Sequence, residues 1–440
     1  MSERPALTYM PGTLPASAAQ PRRDSPAQPD MTASSSAPFD TGYREWQRGS
    51  VNVAGTTVIV ATKPGVFAHG RPDPAAKLLA EYVKVTPGDV VVNMNCGNGA
   101  FGAVAATAGK AGRVLLTDRN VLSIEAATRT LAANRVENAE LFLAQGASAL
   151  PAGVDADVVV IRIPTERIAL LQLMRDALGV LKPGGRCYIA GATNEGIRSA
   201  ATTLEKLFGN ARLLGKDSSH RVFVATKRAI SPAISADLES PYLDPDTFHE
   251  LEATIRGQPF RLSSRPGVFS WDHLDEATTL LADVMTVNAG ESVLDIGCGC
   301  GALGVLAATL SGSGTVCMLD ADVEAVRSAT RSAAAAGLTN VRASTSDVAA
   351  AVLGERFDVV VTNPPFHVGK ATDLNVPLQF IHDAWEVLAP GGRLYLVANR
   401  TLPYENTIKH RFGNITTLHD GQRFKVLSAV RDGEGRLTAS

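Results

Sequence analysis

Between residues 291 and 398 short apolar runs alternate with longer, helically periodic stretches. Glu291-Ser-Val-Leu-Asp-Ile-Gly297 is a brief hydrophobic run ending in glycine, which predicts a buried strand entering a turn. Ala302 to Leu310, apolar and rich in alanine, predicts the helix behind it. Thr315-Val-Cys-Met-Leu-Asp320 predicts a second strand, Asp322 is placed to cap the next helix, and Gly337 to stop it. Val341 to Thr345, Phe357 to Thr362 and Arg393 to Ala398 predict three more strands with helical stretches between them. Such alternation predicts a parallel sheet covered on both faces, and right-handed crossovers make it doubly wound.

The same pattern stands earlier in the chain. Lys63-Pro64-Gly65-Val66-Phe67 recurs as Arg265-Pro266-Gly267-Val268-Phe269, Cys96-Gly97-Asn98-Gly99 as Cys298-Gly299-Cys300-Gly301, and Asp118 as Asp320, all at an offset of 202. Asp157-Val-Val-Val recurs as Asp358-Val-Val-Val at an offset of 201, and Lys182-Pro-Gly-Gly-Arg has its counterpart in Ala389-Pro-Gly-Gly-Arg. One single-residue register change over more than ninety positions marks a tandem duplication of an α/β domain. The stretch 229–247, with Pro232, Pro241 and Pro245, is the connection, so the halves are 42–235 and 236–440. Residues 1–41, rich in Pro, Ala and Ser, carry too little apolar surface to offset the entropy of ordering and are expected to be a disordered tail.

Composition narrows the function classes. With 45% apolar and 20% charged residues in 440, the bulk is globular and of a length suited to two or more domains. A formal charge of −2 means that a polyanionic partner needs a local basic face. Five cysteines are too few for a disulfide scaffold, which suits a reducing, cytoplasmic setting. No run reaches the ~18 apolar residues needed to span a bilayer, so no membrane partner is expected. Cys298-x-Cys300 lacks a second Cys/His pair at ligand spacing, so no metal is expected either.

In a doubly wound sheet the ligand sits beyond the carboxyl ends of the strands, where Asp295-Ile-Gly297-Cys-Gly299-Cys-Gly301 falls. Glycines there allow positive φ and close backbone approach to a ligand. Asp320, at the end of the next strand, can accept both hydroxyl hydrogens of a ribose, and Asp347, within Ser346-Asp347-Val348, is placed to meet an adenine edge. The glycines alternate instead of following GxGxxG, and Asp295 suits a cationic ligand tail better than a pyrophosphate, which favours S-adenosylmethionine over a dinucleotide. The run resembles motif I of the class I methyltransferases, whose glycine loop carries the aminocarboxypropyl group.

Asn363-Pro364-Pro365-Phe366-His367, ending the fourth strand, carries the chemistry. Two prolines fix φ and stiffen the corner, so the Asn363 side-chain oxygen and the Pro364 carbonyl can accept both hydrogens of a planar exocyclic amine. Phe366 offers a face on which a base can stack. Asn363, Pro364, Pro365 and Phe366 are the expected catalytic set. Asp295, Gly297, Gly299, Gly301, Asp320, Asp347, Val348 and Asn363 are expected to hold the cofactor.

With Arg265-Pro-Gly-Val-Phe-Ser270, Asn363-Pro-Pro-Phe-His-Val-Gly369 and Ala398-Asn-Arg-Thr-Leu-Pro-Tyr404, the chain over 42–440 resembles the rRNA (guanine-N2-)-methyltransferases. That resemblance implies two Rossmann-like domains of which one is active, and methyl transfer from S-adenosylmethionine to N2 of a guanine in 16S rRNA. It also implies a 30S partner and a monomeric enzyme. Adenine-N6 and glutamine-amide methylation, a large-subunit rRNA target, and a non-catalytic RNA-binding assembly factor remain alternatives. In the first half Asn93 replaces Asp295, Asn95 replaces Gly297, and Arg162-Ile163-Pro164-Thr165 replaces the Asn363 corner; Arg162 is expected to repel a sulfonium, so that half should not methylate. Substrate contacts are expected from Phe269, His367, Arg265 and Arg400, with Arg256, Arg261, Lys370, Lys409 and Arg411 as further RNA-facing cations.

Overall fold

The structure, a computed structural model, describes residues 42–53, 55–71, 73–230, 232–365 and 375–432. The predicted tail, Phe366, His367 and Lys370 lie outside the described residues. Each half is built on a seven-stranded sheet. In the second half the order across the sheet is Val341–Thr345, Val316–Asp320, Val293–Ile296, Phe357–Thr362, Leu388–Asn399, Phe424–Val430 and Thr416–Asp420. The first half repeats that order with Ala139–Leu143, Arg113–Asp118, Val90–Met94, Ala156–Arg162, Leu181–Ala192, His220–Thr226 and Arg212–Lys216. The order reverses beside Val293–Ile296, so the ends of that strand and of Phe357–Thr362 face one crevice.

The central strands are apolar without alternation because both faces are covered: Val359, Val360 and Val361 are wholly buried, as are Val158, Val159 and Val160. The sheet is not parallel throughout, as its last two strands run antiparallel. They are joined by Gly421-Gln-Arg423, and a parallel crossover needs a dozen residues or more. A hairpin, His249–Ile255 with Gln258–Ser264, precedes the second sheet and has a counterpart in Gln47–Val53 with Thr56–Thr62. Arg256 and Gly257 take positive φ (52° and 72°) at its two-residue turn, as a type I′ turn requires. The Arg256 guanidinium donates to the Ala282 carbonyl at 2.6 Å and to that of Met285, capping a helix end. This residue, expected to face RNA, therefore has a structural post.

The halves meet about a pseudo-twofold seam. Asn120 and Asp322, equivalent in the repeat, form an isolated β-bridge, with Val121 N donating to Ala321 O (2.8 Å) and Val323 N to Arg119 O (2.9 Å). Arg119 forks onto both carboxylate oxygens of Asp322. The equivalent residues Lys63 and Arg265 both reach across. Lys63 crosses into the second half to pair with Asp347, both almost wholly buried. Arg265, 2% exposed, pairs with Glu324 at 2.9 Å and donates to the carbonyls of Tyr242, Asp244 and Thr247 and to Gln172 of the first half. Arg265 is thus no RNA contact: burial and five partners make it the pin that holds the inter-half connection. Tyr43, at the start of the first half, sits in the apolar core of the second beside Leu294, Phe380 and Tyr404.

Replacing Lys63 by Met should lower the stability of the whole chain by about 3–5 kcal/mol, because Asp347 is left charged and buried without its partner. Urea denaturation followed by fluorescence reads this; an unchanged midpoint would show that the pair is not stabilising the seam.

Candidate active site

Gly297, Gly299 and Gly301 all take positive φ (75°, 55° and 88°) between the strand Val293–Ile296 and the helix Ala302–Ser311. A Cβ added to Gly301 would lie 3.0 Å from the Ala329 backbone, so this glycine lets two helices approach. One added to Gly297 would lie 3.2 Å from the Phe380 ring and 4.0 Å from the Asn363 carbonyl oxygen. The glycine loop and the double-proline corner are therefore direct neighbours. Both line a cavity of about 1060 Å³ together with Asp320, Asp347, Val348, Phe269, Asp275 and Thr278.

Asp320 is held by two backbone N–H donors, Gly299 and Asp322, one at each oxygen, both at 3.0 Å. Burial, with repulsion from Asp322, pushes its carboxyl up to about 6. Asp295 stands behind the cavity wall and is 1% exposed; Oδ2 accepts from Gly304 N at 2.9 Å, while Oδ1 has no hydrogen-bond partner among the described residues. Burial, with Asp320 nearby, pushes Asp295 up to about 7. The first copy raises its equivalent acid, Asp118, to about 6 by the same burial, so this shift follows from the shared framework.

Asp347 is organised from the other half: Tyr43 donates to Oδ1 at 2.7 Å and Lys63 bonds Oδ2. Burial pushes the Tyr43 phenol up, keeping it a donor. Val348 takes φ +53°, a left-handed conformation costing a β-branched residue on the order of 1–3 kcal/mol. Its neighbours hold it there. Asp347 is pinned on one side, and on the other Ala349 N donates to Asp383 at 3.0 Å, itself forked by Arg44 at 2.7 Å. Sequence reasoning missed Tyr43, Arg44 and Lys63; the only trace was a basic residue opening both copies of the repeated pentapeptide.

Asn363 donates both hydrogens of Nδ2, to Asp275 Oδ2 (3.1 Å) and Thr278 Oγ1 (3.0 Å). Neither partner was expected from the sequence, although Asp275 recurs as Asp73 at the repeat offset.

Comparison with known proteins agrees with this geometry. The family model described as "Methyltransferase small domain" matches twice, over residues 57–224 and 259–428. A ribosomal RNA small subunit methyltransferase C from Hahella chejuensis is 35% identical over 285 residues, covering 64% of this chain and 80% of that protein. The protein of the same name from Escherichia coli O9:H4 is 33% identical over 278 residues, 63% of this chain and 76% of its own. A solved structure of the T. thermophilus 16S rRNA N2 G1207 methyltransferase, in complex with AdoMet and guanosine, aligns with TM-score 0.73 and 28% identity over 89% of this chain and 99% of that one. The chain belongs to the ribosomal RNA small subunit methyltransferase C family.

Within this methyltransferase the two copies differ where chemistry would occur. Asn95 takes φ +53° in place of Gly297 and bonds the Arg162 carbonyl at 3.1 Å. Arg162, in place of Asn363, pairs with Glu195 (2.7 Å) and Asp73 (3.4 Å) and lies 4.5 Å from the centre of the Phe67 ring. Its charge is compensated by two carboxylates, which weakens the expected repulsion of a sulfonium, and an ion-paired guanidinium stands on the cavity wall where the second half has the amide. The expected RNA-facing cations also sort by environment. Arg411 pairs with Glu386 and stacks 4.0 Å over Trp385, whereas Arg400 and Arg261 are exposed, Arg400 pairing with Asp420 at 3.4 Å. Phe269, 63% exposed, is a large aromatic at the cavity wall.

An acid whose folded-state pKa is raised favours folding while protonated, and that contribution is lost as pH rises from about 4 to about 7. Replacing Asp295 by Asn, the residue the first copy carries as Asn93, should therefore raise the melting temperature of the unliganded protein at pH 8 and have little effect at pH 4. A decrease at pH 8 would show that the buried carboxylate is not strained there.

Proposed function

We propose that this chain methylates the exocyclic N2 of a guanine in 16S rRNA, using S-adenosylmethionine and the catalytic corner of the second half. The observation that carries this reading is the abutment of the Asn363-Pro364-Pro365 corner on the glycine loop within one cavity. The residues fit the cofactor. Asp320 has its oxygens preset by Gly299 and Asp322 and retains lone pairs for two ribose hydroxyls. Asp295, behind the cavity wall, ties the helix that follows the glycine loop through Gly304 N. Asp347 and Val348, on the same wall, offer polar and apolar contact to a base. Held by the glycine loop, Asp320, Asp347 and Val348, S-adenosylmethionine would supply an electrophilic methyl group in exchange for one N2 proton, which would leave to water while the S–C electron pair stays with sulfur.

The protein's part is positioning. Asn363 Oδ1 and the Pro364 carbonyl accept the two amine hydrogens, holding the nitrogen and drawing its lone pair out of the ring. A guanine paired in rRNA reaches this corner only by leaving its stack, and Phe269 offers a surface that replaces the lost stacking. Arg400 and Arg261 supply phosphate contacts, making binding salt-sensitive. An assembled or assembling 30S particle, bound by a monomer, is the natural substrate. The first half, with an ion-paired Arg162 in place of the amide, does not methylate; it builds the wall behind Asp347.

Labelled S-adenosylmethionine with undermethylated 30S particles should place the label on guanine N2 of 16S rRNA, whereas label on 50S rRNA alone would refute the reading. Asn363→Ala should lower kcat by about 10²–10³ while cofactor affinity persists, and undiminished turnover would remove its assigned role. Because burial pushes Asp320 up to about 6, cofactor affinity should rise about fourfold from pH 5.5 to 7.5, with proton release in calorimetry. A flat profile would exclude Asp320 from the binding site.

A further inference from the structure

An asparagine amide can lie in two orientations that differ only in the exchange of oxygen and nitrogen, and only one is useful here. With the oxygen toward the substrate it accepts a hydrogen from an aromatic amine; flipped, it points N–H at N–H. We propose that Asp275 and Thr278 are positioning residues that hold the Asn363 amide in the productive orientation. The proposal rests on the role given to Asn363 above.

The wiring is directional. Asp275 caps the helix Glu276–Val284, and its Oδ2 accepts from Thr278 N at 2.9 Å and from the Thr278 hydroxyl at 3.1 Å. The hydroxyl hydrogen is thereby spent on the carboxylate, so Thr278 Oγ1 can face Asn363 only as an acceptor. Asp275 Oδ2 and Thr278 Oγ1 then take the two Nδ2 hydrogens at 3.1 and 3.0 Å. A flipped amide would set its oxygen against a carboxylate and a hydroxyl lone pair. No described residue donates to Asn363 Oδ1 among the hydrogen bonds seen, and Asn363 lines the cavity.

The first copy supplies an independent comparison. Asp73 still caps its helix, accepting from Ala75 N at 3.1 Å, as helix formation demands. Where the amide has become Arg162, however, the position of Thr278 is Ala76. The cap survives without the amide and the hydroxyl does not, so Thr278 serves the amide and not the helix.

The test uses the full chain with labelled S-adenosylmethionine and 30S particles. Thr278→Val keeps the shape and removes the acceptor; it should lower kcat about tenfold with the cofactor KM and melting temperature unchanged, and Thr278→Ser should restore turnover to within about threefold of the parent. Asp275→Asn retains a competent cap but loses the charge, and should lower kcat by about one to two orders of magnitude. Should Asp275→Asn melt early, the Thr278 pair decides the matter alone. Parental kcat in Thr278→Val, or equal losses in Val and Ser variants, overturns the proposal while an inactive Asn363→Ala preserves the proposed function. An active Asn363→Ala removes the foundation of both.

Discussion

Asp347 is a carboxylate that the second half cannot keep in place by itself. It lies between a cavity wall and an apolar core, and the groups that satisfy it, the Tyr43 phenol and the Lys63 ammonium, both come from the other half. Leaving such a charge unpaired in a low-dielectric interior costs several kcal/mol, so the seam between the halves and the shape of the site are one problem with one solution. The same contacts keep Val348 at positive φ, a strain that survives only because Asp347 and Ala349 are tied on either side. The halves are therefore not a catalyst and an appendage but a single packing unit.

Duplication explains how this arose. Two copies related by a pseudo-twofold axis place equivalent residues opposite each other, so Asn120 meets Asp322 and the basic residues Lys63 and Arg265 each reach over the seam. Once one copy provides the wall, its own corner is free to change. Arg162, Asp73 and Glu195 show the outcome: an ion-paired guanidinium against an aromatic ring where the other copy keeps an amide. The framework positions, the buried valines and the positive-φ glycines, persist in both because they serve the fold.

The retained site is locally uncomfortable. Asp295 and Asp320 are acids pushed toward neutrality by burial, and one Asp295 oxygen lacks a partner. The equivalent position in the first copy, Asn93, also leaves its Oδ1 without a hydrogen-bond partner among the described residues, so the orphaned oxygen belongs to the shared framework and only the charge is particular to the second copy.

Much of the architecture was legible in the chain itself. Strand and helix periods, the repeat at an offset of 202, the glycine loop and the Asn363 corner are local patterns, set by sterics and by burial on both faces of a sheet. The strand His249–Ile255 of the hairpin is also written there, with Leu251, Ala253 and Ile255 alternating inward. The partners were not legible. Whether Arg265 meets RNA or Glu324 depends on packing within the folded chain, and whether Asp347 stands alone or is held by Tyr43 and Lys63 depends on surfaces that the folded halves bring together from some three hundred residues apart. A basic side chain looks the same in sequence on a solvated face and in a buried seam; only burial, a property of the tertiary structure, separates the two.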